Sequence, residues 1–148
     1  LYTNLTQTVG TAGVPPTDND FRRAVQYQDD ADAPMAGRAL ILAPSTKNTL
    51  LGIDRYVSQD FTGTDLPVKT GLFGQRYGIP FYTSTNVPTS GGNPINQLIH
   101  EETYCFARQK DTQLMTGPVI EYVADGWVYT VLYGVKTYRA AFGVQFLS

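Results

Sequence analysis

A long alternating stretch near the end of the sequence limits the fold more than any other feature. A strand places successive side chains on opposite faces, and here both faces are apolar. We therefore expect residues 119–147 to be strand-rich and covered on both sides, with Trp127 as a buried anchor. One face carries Trp127, Tyr129, Val131, Tyr133 and Val135, and the other carries Val128, Leu132 and Tyr138.

Two segments in the first half have the pattern of short helices. Thr17 begins the first, followed by acids that suit a helix N-terminus, and this helix should end near Asp30. The apolar run 39–43 predicts a buried strand, after which Ser45 is the expected N-cap of a second helix through about Tyr56. The apolar positions are Phe21, Ala24 and Val25 in the first helix and Leu50, Leu51 and Ile53 in the second.

Glycine and proline divide the middle of the chain into short pieces. Gly74 and Gly78 are expected at turns or strand bends. Two helices among many strands predict an α+β fold, strand-rich with two or three helices. The remaining segments are predicted as loops at 61–66 and 89–94, a strand at 81–85, and an ambiguous helix or strand at 98–108 with 104–107 as its clearest strand.

Composition favours a single domain whose surface is covered by partners. The chain has 148 residues, of which 16% are charged, below the usual quarter. Ten Tyr and seven Phe suit interfaces, because a tyrosine ring is apolar with a polar tip. The formal net charge of −2 gives no overall positive field to hold nucleic acid.

No residue pattern indicates catalysis. His100 is the only histidine, and it lacks the second histidine of a zinc helix motif. On a strand it would point away from Cys105, five residues on, so the two are not expected to form a nucleophile pair. We expect His100 at the surface or at an interface, and Cys105 packed as a small apolar residue. The sequence predicts no catalytic, cofactor-binding or metal-binding residue.

Two further clusters are better explained as structure than as ligand sites. Asp29, Asp30 and Asp32 lack the glycine and final glutamate of a calcium loop, so they predict a helix end and a solvated turn. The glycines of 71–78 are not followed by Lys-Ser or Lys-Thr, or by a predicted helix, and therefore do not make a phosphate loop.

Three blocks of sequence occur in an order that resembles a known family. An acidic turn at 29–34 precedes the first block, which is Gly37-Arg38, the apolar strand 39–43, a proline and a short helix. The second block is Gly-Ile-Pro-Phe-Tyr-Thr-Ser-Thr-Asn-Val-Pro at 78–88, and the third is Tyr-Gly-Val-Lys-Thr-Tyr-Arg-Ala at 133–140. Over about residues 18 to 147 this order resembles the major capsid proteins of tailed bacteriophages, the Hong Kong 97-type fold.

The resemblance implies a wedge-shaped subunit with an axial and a peripheral domain. Residues 1–17 would be an extended arm or loop. Residues 18–148 would be the capsid-fold region, an axial domain with strands returning to the peripheral domain. Members of the family carry an arm, an extended loop and a long spine helix before this region, so we expect it to be incomplete at its N-terminus.

The resemblance also implies a structural function in the virion, without enzymatic activity or cofactor. Copies of the subunit would form hexamers and pentamers of an icosahedral shell around double-stranded DNA. Further partners would be decoration, portal or scaffolding proteins and, by weak non-specific contact, the packaged DNA, with no membrane involved.

Three other functions fit the sequence less well. A cellular encapsulating shell of the same fold would differ in its packaged content. A small hydrolase would depend on His100. A β-rich surface module would bind glycans through Trp127 and the tyrosines.

Overall fold

The structure, a computed structural model, describes residues 4–58, 74–119, 121 and 124–148. The described residues form a mixed sheet with helices packed on it and a separate ribbon of two long strands. The helices are α1 (Asp18–Asp30), α2 (Pro44–Leu51) and α3 (Asp54–Val57). The strands are β1 (Gln7–Val9), β2 (Arg38–Leu42), β3 (Gln75–Arg76), β4 (Ile79–Thr83), β5 (Thr89–Ser90), β6 (Asn93–His100), β7 (Tyr104–Val119), β8 (Ala124–Thr137) and β9 (Val144–Leu147).

The sheet has the strand order β1-β9-β6-β2-β4-β3, with β5 paired to β6. The β1–β9 and β2–β4 pairs are parallel, and the other pairs are antiparallel. The first seventeen residues, expected as an arm or loop, thus contribute the edge strand β1. The side chains of Val9 in this strand and of Leu5 just before it are buried, which anchors the segment to the rest of the fold.

Helix α1 has the predicted limits because its start is capped by local side chains. The backbone N–H of Asp20 donates to the Thr17 hydroxyl at 3.3 Å, and the N–H of Thr17 donates to the Asp20 carboxylate at 3.0 Å. This reciprocal pair satisfies two backbone donors at the helix start. Phe21 and Ala24 are buried, as their spacing predicts.

The second helix differs from its prediction at both ends. Its N-cap is Ala43 and not Ser45, and no side chain caps it. Pro44 begins the helix, a position that suits proline because its φ is preset and its missing N–H is not needed there. The helix ends at Leu51 before Gly52, and α3 then forms a separate turn.

The middle strands lie close to their predictions, with shifted ends. The predicted strand at 81–85 is β4, which begins and ends two residues earlier. The predicted loop at 89–94 contains β5 and the start of β6, so only Gly91 and Gly92 make the turn. Gly74 and Gly78 have φ of 63° and 76°, which confirms them as turn positions. The predicted loop at 61–66 and residues 71–73 lie outside the described residues.

The ambiguous segment 98–108 holds parts of two strands. β6 ends at His100, a short 3₁₀ helix (Glu101–Thr103) follows, and β7 begins at Tyr104. Among the described residues, a hydrophobic core lies between the sheet and the helices. Its buried members are Val9, Phe21, Ala24, Leu40, Leu42, Leu50, Tyr56, Ile79, Leu98, Val144 and Phe146.

Candidate assembly surface

The ribbon formed by β7 and β8 carries one face rich in aromatic side chains. Trp127 lies opposite Thr116, and Tyr129 lies opposite Leu114. The rings of Phe106 and Tyr133 are 5.7 Å apart, which places them on this same face. We call this set the aromatic face: Phe106, Leu114, Trp127, Tyr129, Val131, Tyr133 and Val135.

The other face of the ribbon is less aromatic but also apolar. Met115 lies opposite Val128, and Leu132 follows two positions further along the same face. Cys105 lies near the base of this face, directly opposite Lys136. Its predicted burial is wrong, because Cys105 is exposed. The ribbon is only two strands wide, so no described layer is available to cover the thiol.

Both faces are exposed, which corrects the expectation that the alternating strand is covered within this chain. Trp127 is 67% exposed and Phe106 is 62% exposed. Trp127 is therefore not a buried anchor of the chain as described. A two-stranded ribbon is marginally stable in water by itself, and an apolar surface of this extent marks an interaction site. The described residues leave the outer edges of β7 and β8 unpaired as well.

At the base of the ribbon, His100 is buried, which corrects the prediction of a surface histidine. It is 2% exposed and its ring meets the ring of Phe142 edge to face, with centroids 5.5 Å apart. Its Nε2 lies 2.9 Å from the carbonyl oxygen of Ala36, and its Nδ1 accepts the N–H of Glu102 at 3.2 Å. Both ring nitrogens are therefore used in local structure.

Asp18 lies at the centre of a polar cluster away from the ribbon. Its carboxylate accepts the hydroxyls of Tyr56 at 2.9 Å and Tyr77 at 3.0 Å, and pairs with Arg55 at 2.6 Å. Burial alone would raise the pKa of Asp18, but the two hydroxyls and Arg55 outweigh it and hold that pKa below its usual value. Burial, together with the bond to Asp18, raises the pKa of Tyr56. The cluster joins α1, α3 and the turn before β4.

Cavities and acidic side chains also occur elsewhere in the described part of the chain. A cavity of ≈ 330 Å³ near the start of α2 is lined there by glycine, proline, valine, hydroxyl and amide side chains. No group of three metal-binding side chains occurs among the described residues. Asp29, one of the predicted acidic cluster, instead pairs with Arg38 at 2.7 Å. Within the same residues, no helix combines the length and apolarity that crossing a membrane requires.

The sequence identified the β8 half of this surface, but of β7 it predicted only the strand start at 104–107. Phe106, Leu114 and Met115 are exposed on β7, where polar residues interrupt the alternation. The register of β7 against β8 also shifts twice, between Arg108 and Gln113. A bulge moves later side chains to the other face, so a simple alternation search could not find Leu114 and Met115, which follow both shifts. The apolar residues on either side of the bulges, Phe106 before them and Leu114 and Met115 after them, were the available sequence signal for this half of the surface.

Comparisons with known proteins identify the fold. No protein-family model matches the chain, and no curated protein matches it. Among solved structures, one from Mycobacterium phage Che8 is 19% identical with a TM-score of 0.83, covering 97% of this chain and 53% of its own. The mature capsid of bacteriophage PhiM1 is 13% identical (TM-score 0.76; 95% and 50% covered), and the capsid of cyanophage P-SCSP1u is 14% identical (0.74; 95% and 52%).

This chain therefore spans about half the length of these structural relatives. The match runs through the sheet and the ribbon alike, since it covers nearly all of the chain. The chain has the phage major capsid protein fold.

Proposed function

We propose that this chain belongs to a major capsid subunit that self-assembles into an icosahedral shell enclosing double-stranded DNA. The observation that carries the proposal is the ribbon, which leaves two apolar faces exposed in a fold that solved phage capsids share. Such faces require a covering partner. In this proposal the sheet belongs to the axial domain and the ribbon to the peripheral domain, and the protein is located in the virion.

The principal partners in this proposal are further copies of the subunit, arranged in hexamers and pentamers. Contacts that repeat between identical copies close into rings when the rotation allows it. Tyrosine and tryptophan on the aromatic face suit such contacts, because both residues are enriched where interfaces carry most of their binding energy. Decoration, portal and scaffolding proteins are further proposed partners.

The proposed role is structural and not enzymatic. The one histidine is held by Ala36 and Glu102, so that both of its ring nitrogens are used in local structure. Packaged DNA would make weak, non-specific contacts, which agrees with the formal net charge of −2.

Electron microscopy of material expressed from the complete gene tests this proposal. We expect closed particles, and we expect replacement of both Trp127 and Tyr129 by serine to prevent their formation. The matched control replaces Val14 and Met35, which are exposed outside the ribbon, and should leave particles intact. A monodisperse monomer with no particles under any assembly condition would refute the proposal, and glycan binding by that monomer would favour a surface module. Protein cargo in place of DNA would assign the particles to a cellular shell.

A further inference from the structure

The junction between the ribbon and the sheet depends on one buried imidazole. His100 is the last residue of β6, and the 3₁₀ helix that follows it leads directly into β7. Nδ1 accepts a hydrogen bond from the N–H of Glu102, so the ring proton lies on Nε2 and is donated to the carbonyl of Ala36. Neutral His100 therefore satisfies both nitrogens.

A second proton has no acceptor at this site. It would occupy Nδ1, which faces the N–H of Glu102, a donor. Protonated His100 therefore loses that hydrogen bond and sets two donors against each other, while the backbone N–H of Glu102 is left without its partner. Histidine is the side chain that gains a proton on mild acidification.

The charged groups around His100 come from several elements and partly balance one another. Arg38 of β2 is the strand partner of His100. Its guanidinium forms a salt bridge with an aspartate of α1. In the 3₁₀ helix, two glutamates directly follow His100 in sequence, and the second pairs at 3.4 Å with the arginine that lies over Phe142. These groups are Asp29, Arg38, Glu101, Glu102 and Arg139.

The same 3₁₀ helix holds both strands of the ribbon. The backbone N–H of His100 donates to the Thr103 hydroxyl at 3.0 Å, and the Thr103 carbonyl accepts the N–H of Tyr138 at 2.9 Å. Tyr138 follows the last residue of β8, so the chain that enters the ribbon is bonded to the chain that leaves it. Opening the 3₁₀ helix would loosen both connections together.

We propose that His100 is a proton-operated latch at the base of the ribbon. The neutral imidazole fixes the 3₁₀ helix and so the angle between ribbon and sheet, and its protonation releases that turn and allows the ribbon to move as a unit. Two-state elements biased by histidine protonation are an established kind of switch. The latch does not depend on the proposed function, because every contact in it lies within one chain.

Nuclear magnetic resonance on this chain tests the latch directly, since His100 is the only histidine and its imidazole signals are unambiguous. The pH is lowered from 8 to 5, and the imidazole signals report directly whether and when His100 gains a proton. As the imidazole gains its proton, amide exchange protection at Glu102, corrected for intrinsic pH dependence, should fall about tenfold. The Tyr138 amide signal should shift with the same midpoint. The Ala43 amide, held by Asn96 in the sheet, should not change.

Two variants separate the imidazole from its neighbours. In H100Q the side chain does not titrate, so the response at Glu102 and Tyr138 should disappear. In E102Q the backbone N–H remains and the ion pair with Arg139 is lost, so the response should persist. Three results would overturn the latch: an imidazole that stays neutral down to pH 5, protonation of His100 without loss of protection at Glu102, or an unchanged response in H100Q. Loss of the response in E102Q would assign it to the glutamate and would equally overturn it. If H100Q does not fold, the pH dependence of amide protection at Glu102 in the wild-type chain still tests the latch.

Discussion

The side-chain oxygen of Asn96 accepts a hydrogen bond from the backbone N–H of Ala43 at 2.8 Å, inside the core. The amide nitrogen of Asn96 donates to the carbonyl of Phe146 at 3.1 Å and lies 3.1 Å and 3.0 Å from the hydroxyls of Thr46 and Ser148. One fully buried side chain thus connects β6, the start of α2 and the end of β9.

Replacing Asn96 with alanine should therefore lower the free energy of unfolding by about 2–4 kcal/mol, because it leaves a buried donor and a buried acceptor without partners. Urea unfolding of N96A measures the loss. Asn86 is exposed, and N86A should stay within about 0.5 kcal/mol of wild type. Equal stability of the two variants would show that the Asn96 network contributes nothing.

Gly10 directly follows β1, and its backbone lies against the carbonyl of Leu147. A Cβ at position 10 would be 2.5 Å from that oxygen, and φ is 83°. Gly91 also has a positive φ, 58°, but has open space around it. G91A should cost about 1–2 kcal/mol from the left-handed backbone alone, and G10A should cost about 1–3 kcal/mol more. Thermal unfolding of both variants measures the difference in their stability. Equal stability of G10A and G91A would show that the close contact at position 10 has no cost.

Stability in acid should depend on Asp18. Since its pKa in the folded state lies below the usual 3.8, its stabilisation is present in full above that pH and is lost as the pH falls through the folded pKa. D18N should lower the free energy of unfolding at neutral pH by about 1 kcal/mol and make the decline below pH 3.8 shallower. Denaturant unfolding across this range, with the exposed D125N as control, should show the effect for D18N alone.

Stability in alkali should depend on Tyr56. Its raised pKa means that the stabilisation it contributes is present below the usual value of 10.0 and is lost as the pH rises beyond it. In wild type, tyrosinate absorbance from this ring should appear only on unfolding. Y56F should reduce the fall in unfolding free energy above pH 10.0, whereas Y82F, at an exposed position, should not. Identical alkaline profiles for the two variants would contradict this assignment.

Trp127 should matter for association and not for folding of the chain. It is 67% exposed, so W127S should change the unfolding free energy of the isolated chain by no more than about 0.5 kcal/mol. If the proposed function is correct, the same change should weaken subunit association by at least about 2 kcal/mol, because aromatic anchors dominate interfaces. Sedimentation velocity on W127S and the control M35S measures this. A large loss of unfolding free energy would show that Trp127 is covered within the chain.

The sequence predicted best those elements whose cause is local. Thr17 and Asp20 cap α1 within four residues of each other, and the apolar run of β2 needs no distant partner to be recognised. The N-cap of α2 was predicted two residues too late, at Ser45 and not at Ala43, because Pro44 and Ser45 both suit a helix start. The order of three blocks, which no single motif supplies, predicted the fold itself.

The local sequence pattern could not predict whether an isolated residue is buried or exposed. His100 is buried because Ala36, 64 residues away in sequence, offers a carbonyl and Phe142 offers a ring. Cys105, of a type that is usually buried, is exposed because β8 is the one described strand that pairs with its own strand. The alternation in β8 correctly predicted two apolar faces, but it cannot tell whether the covering layer lies in the same chain or in another.

The parallel pairing of β1 with β9 decides where attachments to the two ends of this chain would emerge. Leu5, just before β1, lies beside Gly143 and Thr103 at the base of the ribbon. Ser148, just after β9, lies at the opposite end of that strand pair, where its hydroxyl is 2.8 Å from that of Thr46 at the start of α2. A bulky fusion near residue 5 would therefore crowd the ribbon, whereas a fluorescent label or affinity tag after Ser148 would leave the aromatic face free for measurement.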